Sequence, residues 1–297
     1  MALPKVLAVV GTNASGKSAL GIRLAKTFDG EIISADSRQV FRGLDLGSGK
    51  VTPEEMEGVR HHLIDVREPD EFFSMADFQR MSYQAIDEIR GRGHLPMIVG
   101  GTGLYVDSVL DGYQLSDKGP DLAYRAELEK MTTPELYEML MRLVPGAEVE
   151  KNNRNRVMRM LERLHDGDDV KPSKKACYQS LRLGVSWPRD VLAKRVDERI
   201  DRRLEQGMIE EVQGLLDAGV SKEFLLGLGL EYRFITRYLT GEIPNKQEML
   251  DQLATSIRQF ARRQMTWFKR NPEIVWLDMS GDFYAQACEQ VEAFLKD

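Results

Sequence analysis

Residues 5–18 read KVLAVVGTNASGKS. The first six, Lys5–Val10, form a short apolar run that Gly11 closes, and from Lys17 onward Leu20, Leu24 and Phe28 recur four apart. That order predicts a strand, a glycine turn and a helix over Lys17–Phe28. The connecting Gly11-Thr12-Asn13-Ala14-Ser15-Gly16-Lys17-Ser18 matches G-x-x-x-x-G-K-[ST] in full, in the strand–turn–helix context that the motif requires. Its glycines let the backbone curl until successive N–H groups converge on phosphate oxygens, and the helix N-terminus adds partial positive charge. Lys17 is placed to reach terminal phosphates, and Ser18 to ligate Mg²⁺ through its hydroxyl.

Outward from this stretch, Glu31–Ser34, His61–Val66 and Leu95–Val99 read as further strands. Ser74–Arg92 is a long amphipathic helix, with Phe78, Met81, Ala85 and Ile89 at helical spacing. Strands alternating with helices imply parallel β-α-β units, hence an α/β fold with a parallel sheet covered by helices. The character changes near residue 114. Residues 114–180 are helical and charge-rich, with breaks at Gly119-Pro120, Pro134, Pro145-Gly146 and Gly167. Leu181–Trp187 then reads as a strand, followed by helices over Arg189–Gln206, Ile209–Ala218, Tyr232–Leu239 and Lys246–Lys269, a strand at Ile274–Leu277 and a C-terminal amphipathic helix. The expected organisation is a core of residues 1–113 and 181–297 interrupted by a helical insertion, residues 114–180.

Composition narrows the class. The 297 residues carry a net charge of −6, with 42% apolar and 30% charged residues, a globular mix too apolar for disorder. Two cysteines, Cys177 and Cys288, cannot staple a secreted scaffold, and no apolar run approaches a bilayer span, so a reducing compartment and no membrane partner are expected. Met1-Ala2-Leu3-Pro4-Lys5 leads into the first strand and not into a signal peptide. The negative total argues against a nucleic-acid partner, but it hides local excesses. Lys151–Lys175 is net +4, and Arg258–Arg270 has five basic residues and no acid, with Phe260, Trp267 and Phe268 interleaved. Such segments suit RNA phosphates and an unstacked base, or equally a solvated basic face over core aromatics.

The phosphate loop names a ligand, not a reaction. A nucleoside triphosphatase would need a water-activating carboxylate at the end of an apolar strand, and no strand here suits. Leu95–Val99 ends instead in Gly100-Gly101-Thr102-Gly103. Ligands of doubly wound sheets bind at the carboxyl ends of strands, so Thr102 is expected to face the loop's ligand, the alternative being a helix cap. Asp36, just past the second strand, is open between capping and general-base roles.

Several further motifs follow in one order: ISADSRQVFRGLDLGSGK (Ile33–Lys50), HHLIDV (His61–Val66), FSMADF (Phe73–Phe78), VGGTGLYV (Val99–Val106), RVDERIDRRLEQGMIEEV (Arg195–Val212), YLTGE (Tyr238–Glu242) and RRQMTWFKR (Arg262–Arg270). Together with the phosphate loop, this series resembles the tRNA dimethylallyltransferase (tRNA isopentenyltransferase) family, in its bacterial type without the zinc-finger extension, over residues 5–278. The resemblance implies transfer of a dimethylallyl group from dimethylallyl diphosphate to the exocyclic amine of the adenosine 3′ of the anticodon in tRNA, by a cytoplasmic monomer using Mg²⁺. The loop, Gly11–Ser18, would hold the donor's diphosphate. Asp36 would take the amine's proton, Thr102 would lie near the transferred group, and Lys17 and Arg199 would stabilise the leaving diphosphate. Asp36, Ser37, Arg38, Gln39, Arg125, Arg156, Arg159, Arg262, Arg263 and Gln264 would meet the tRNA.

Without that resemblance, Arg195 and Arg199 read as an ion-pair ladder with Asp197, Glu198 and Asp201. The sequence departs from the family pattern at Thr12-Asn13, where Pro-Thr is usual, at Ser18, where Thr is usual, and at Glu231-Tyr232-Arg233, where Gly-Tyr-Arg is usual. Alternatives are an adenylate isopentenyltransferase acting on free nucleotide, a small-molecule kinase of phosphate-loop type, and a non-catalytic RNA-binding module. The basic segments favour tRNA over free nucleotide, and Asp36 and Thr102 beside a full phosphate loop argue against a mere binding module.

Overall fold

Six parallel strands, β1 (Lys5–Gly11), β2 (Gly30–Ser34), β3 (His61–His62), β4 (Leu95–Gly100), β5 (Gln179–Ser186) and β6 (Ile274–Asp278), pair in the order β3-β2-β4-β1-β5-β6. The computed structural model describes residues 3–115, 121–171 and 173–296; the Gly119-Pro120 break and Met1-Ala2 lie outside the described residues. β1 is apolar from Val6 to Val10 because both its faces are covered there. Val6, Ala8 and Val10 join Ile33 and Ile98 under α3 (Met75–Gly91) and α4 (Gly103–Leu110). Leu7 and Val9 join Ile32, Met97 and Val99 under α1 (Lys17–Thr27) and α13 (Phe283–Lys296). A reciprocal Ser74–Asp77 capping box starts α3, satisfying backbone donors that the first turn leaves orphaned.

The chain divides into two compact units, residues 1–110 with 177–297 and residues 111–176. The first also contains α2 (Pro53–Met56) and a helical layer of α8 (Arg189–Glu205), α9 (Met208–Asp217), α10 (Lys222–Leu228), α11 (Leu230–Leu239) and α12 (Lys246–Phe268). These helices share a core around Val196, Ile200, Met208, Tyr232, Leu253 and Ile257. The second unit is α5 (Leu122–Glu129), α6 (Thr133–Leu143) and α7 (Arg154–His165), packed through Leu128, Leu136, Leu140, Val157 and Leu161. Its boundary falls a few residues earlier at each end than the sequence suggests. An antiparallel bridge of Tyr113 with Lys174, flanked by Gln114 N–H to Ser173 O (2.8 Å) and Lys175 N–H to Gly112 O (2.9 Å), closes its base.

Two local expectations are corrected. The His61–Val66 strand shortens to His61–His62, because Leu63 (φ 62°) and Asp65 (φ 55°) are left-handed and cannot continue a ladder. A separate seven-residue helix, α10, precedes α11, with Gly229 (φ 75°) breaking the two apart.

Candidate active site

In the sheet β2, β4 and β1 are consecutive neighbours, so three loops leave their carboxyl ends side by side. The loop after β1 turns through Ala14 (φ 60°) and Gly16 (φ 89°) into α1. Its carbonyls are held from behind. Ser15 Oγ and Lys17 Nζ donate to Thr12 O (2.8 and 3.4 Å), Trp187 Nε1 donates to Ser15 O (2.9 Å), and Arg195 Nε donates to Ala14 O (3.0 Å) while stacking 4.7 Å over the Trp187 ring. From α12, buried Gln264 accepts from Asn13 N–H (3.0 Å) and donates to Gly101 O (2.9 Å), tying the phosphate loop to the β4 turn. The first N–H groups of a helix have no partner within it, so the start of α1 remains available to an anion.

The β2 and β4 ends meet backbone to backbone. A Cβ on Gly100 would lie 2.2 Å from Ala35 O, which only glycine avoids. Thr102 N–H donates to Ala35 O (3.1 Å), and Ser37 N–H donates to Thr102 Oγ1 (3.2 Å). The Thr102 hydroxyl thus fixes the Asp36–Ser37 turn and does not cap its own helix. Asp36 accepts from Arg38 N–H (3.0 Å) in an Asx turn, and no helix follows for it to cap. Its side chain stays 15% exposed, enough to line a cavity of about 50 Å³ with Lys17, Ser18, Gly100 and Arg199; Asp36 is the only carboxylate among that cavity's described lining residues.

A larger cavity of about 520 Å³ shares Lys17, Ser18, Gly49, Val51 and Arg199 with the first. Arg195, Arg199, Arg202 and Arg203 line it from α8, a run at helical spacing of which the sequence reading caught only the first two. Among the described residues no ion pair joins Arg195 or Arg199 to Asp197, Glu198 or Asp201; Asp197 pairs instead with Arg258 (2.7 Å) and Glu198, which also lines the cavity, with Lys194 (3.8 Å). Arg199 has no hydrogen bond or ion pair among the described residues. Burial pushes it down, Arg203 and Arg38 add to this, and Glu231 opposes, leaving it at about 9. Burial likewise lowers Lys17 to about 8, against the opposing pull of Asp36. Both are cations short of anionic partners, and a polyanion in the cavity would supply them. Asn13 adds a buried Nδ2 with no partner, lining the smaller cavity.

Three side chains expected at the RNA are engaged inside the protein. Arg38 is buried against Glu231 (2.6 Å), Gln39 donates to Gly49 O (3.1 Å) and accepts from Ser34 Oγ (2.8 Å), and Gln264 bridges the two loops. Arg262 and Arg263 are exposed on α12, whereas Phe268 is buried and Trp267 donates to Asp107 (2.7 Å), so these two aromatics belong to the core. In the unit of residues 111–176, Arg125 and Arg159 flank the buried Glu162 (3.3 and 3.1 Å), and Arg156 is exposed. Much of the basic excess there is used internally. Arg154 donates to the carbonyls of Leu128, Glu129 and Met131, Arg163 to Asp169 O, and Lys171 pairs with Glu148. Glu231, a departure from the family pattern in the sequence, is 1% exposed and faces Arg38 and Arg203. Burial would raise its carboxyl, but those two guanidinium groups and Arg199 outweigh burial and hold it below the usual range.

A family model described as IPP transferase matches residues 39–271. The chain is 46% identical to tRNA dimethylallyltransferase 2 of Shewanella sediminis, over 96% of each chain. It is 42% identical to the tRNA dimethylallyltransferase of an Exiguobacterium species, over 98% of this chain and 97% of that one. Among solved structures, the tRNA isopentenylpyrophosphate transferase of Bacillus halodurans superposes with a TM-score of 0.75 at 37% identity, covering 98% of both chains. A eukaryotic dimethylallyltransferase, described as acting on tRNA, superposes with a TM-score of 0.82 at 25% identity, over 96% of this chain and 77% of that one.

Proposed function

The chain belongs to the IPP transferase family of tRNA dimethylallyltransferases, and from that membership we propose how its cleft works. It transfers a dimethylallyl group to tRNA. We take the donor to be dimethylallyl diphosphate and the acceptor to be the exocyclic amine of the adenosine 3′ of the anticodon. One observation carries this reading: a lone carboxylate, Asp36, lines the same small cavity as two cations that lack anionic partners, Lys17 and Arg199.

The diphosphate is cradled by the N–H groups that open α1 and faces Lys17 and Arg199, with the Asn13 amide as a further donor. As the C–O bond of the donor breaks, negative charge gathers on the leaving diphosphate, and these groups stabilise it. The new C–N bond forms at the adenine amine, whose proton goes to Asp36. Thr102 holds the Asp36–Ser37 turn in place through the Ser37 amide. Removing the adenine from its stack is required for access, and the exposed Arg262 and Arg263, with Arg125, Arg156 and Arg159, are assigned to the tRNA phosphates.

Mg²⁺ fits this donor set in one way. No cluster of three or more His, Cys, Asp or Glu side chains able to hold a metal occurs among the described residues. Mg²⁺ typically takes one or two protein oxygens and completes its shell with substrate phosphates and water, and the Ser18 hydroxyl, which lines both cavities, is placed to supply one. When bound, the ion neutralises charge on the leaving diphosphate. Because its substrate is tRNA, we also place the enzyme in the cytoplasm.

The test is incubation with labelled dimethylallyl diphosphate and either unmodified tRNA or AMP, with Asp36→Ala in parallel. Label is expected on tRNA only, with a loss of about 10²-fold or more in the variant. Label on AMP, or an unaffected Asp36→Ala, would overturn the reading.

A further inference from the structure

Lys17 and Arg199 line the smaller cavity with Asp36, its only carboxylate among the described residues, and the charges of Arg38 and Arg203 bear on both cations. The carboxylate that balances them from behind is Glu231, at the start of α11. Glu231 Oε2 takes Arg38 Nη1 at 2.6 Å, and Oε1 takes Arg203 Nη1 at 3.5 Å. Each partner is in turn aimed at the site. The Arg38 Nε lies 3.9 Å from Asp36 Oδ1, a long ion pair with no side-chain hydrogen bond. Arg203 lines the larger cavity and packs against Gly49, where a Cβ would fall 1.5 Å from Nη2. The next residue, Tyr232, continues the same scaffold. Its hydroxyl accepts from Ser48 N–H (3.0 Å) and donates to Glu211 (2.9 Å), whose carboxylate takes the amides of Asp45, Leu46 and Gly47.

We infer that Glu231 is a positioning residue for prenyl transfer: it draws the Arg38 guanidinium away from Asp36, keeping that carboxylate open to the substrate amine, and fixes Arg203 against Gly49 in the cavity wall. The inference rests on the prenyl-transfer reading of the cleft. Leaving a buried guanidinium without an anionic or polar partner is costly. If Glu231 is neutralised, Arg38 has one carboxylate within reach, Asp36, and turns onto it. Asp36 is then paired in the resting enzyme and must be freed before it can accept the amine's proton. The donor's diphosphate, by contrast, meets a site that has gained positive charge.

The experiment is steady-state prenyl transfer to tRNA by Glu231→Gln, Glu231→Asp, Arg38→Met and the Arg38→Met/Glu231→Gln pair, with active sites counted by single-turnover bursts. Glu231→Gln is expected to lower kcat per active site by about 10- to 100-fold, the scale of a misdirected catalytic group, while donor KM stays level or falls. Glu231→Asp, which keeps the charge, is expected to recover most of that loss. The pair is expected to be no slower than the slower single variant, since both substitutions act through one contact. If Glu231→Gln does not fold, Glu231→Asp with Arg38→Lys completes the same cycle. Unchanged kcat per active site, or strictly additive losses, would overturn the inference while wild-type labelling of tRNA still stood. Failure of the wild-type chain to label tRNA would instead remove the reading beneath it.

Discussion

Gln264 separates two accounts of the segment Arg262–Gln264, one in which it meets RNA and one in which it braces the cleft. Replacing it by Leu keeps the apolar bulk and removes both amide contacts. Asn13 N–H and Gly101 O, bonded at 3.0 and 2.9 Å, would be left without partners in a buried setting. Orphaning a buried polar group costs about 1–3 kcal/mol, so the pair predicts a destabilisation of about 2–6 kcal/mol. Urea unfolding at neutral pH reads this as a lower midpoint at unchanged slope. Because the brace positions the phosphate loop, donor KM is expected to rise about tenfold or more, whereas tRNA affinity by fluorescence anisotropy stays within about twofold. Unchanged stability and donor KM with weakened tRNA binding would refute the bracing argument and restore Gln264 as an RNA contact.

Glu31 carries the clearest pH dependence. A bidentate bond from Arg92 (2.8 and 2.9 Å) holds its carboxyl at about 2, helped by His62 and opposed by burial. A depressed carboxyl stabilises the fold above its unfolded value near 4.5 and loses that contribution as pH falls through about 2. The full term is about 3 kcal/mol, and Glu31→Gln and wild-type unfolding free energies are expected to converge between about pH 5 and 2; parallel curves would contradict this. Gly100→Ala places a Cβ 2.2 Å from the Ala35 carbonyl and should cost about 1–3 kcal/mol or more, with loss of prenyl transfer as the Asp36 and Thr102 loops part, checked by thermal unfolding and rate together. Affinity for tRNA should fall steeply with salt, and Arg156→Ala should reduce the log–log slope by about 1.

Much of this was readable in the chain because local rules carried it. Lys5–Val10 is apolar on both alternations, and the glycines and Lys17 of the loop sit where phosphate chemistry needs them, so strand, loop and first helix follow from spacing alone. Asp36 and Thr102 were readable as strand-end residues, but not their partnership, since the bond through the Ser37 amide joins segments 65 residues apart. The third strand misled for a backbone reason: Leu63 and Asp65 are ordinary residues in left-handed conformations that tertiary packing imposes. The charge count misled differently. A basic residue counts the same whether it faces water or, like Arg154, caps another helix's carbonyls. Glu231 was visible only as a departure from the family pattern, and its burial against Arg38 and Arg203, 193 and 28 residues earlier, could not be read from the chain.

The braces behind the phosphate loop also have a consequence for synthesis. The loop leaves the ribosome first, yet the groups that hold its Ala14 and Ser15 carbonyls and its Asn13 backbone N–H come from Arg195, Trp187 and Gln264. The central strand waits in the same way, since Lys5 pairs with Gln179, roughly 170 residues on. At about 5–20 residues per second, the nascent chain spends many seconds with the turn after β1 lacking these braces and one edge of its central strand open. A chain released before α12 is complete would own the entire G-x-x-x-x-G-K-S loop and lack the Gln264 brace that ties it to the β4 turn.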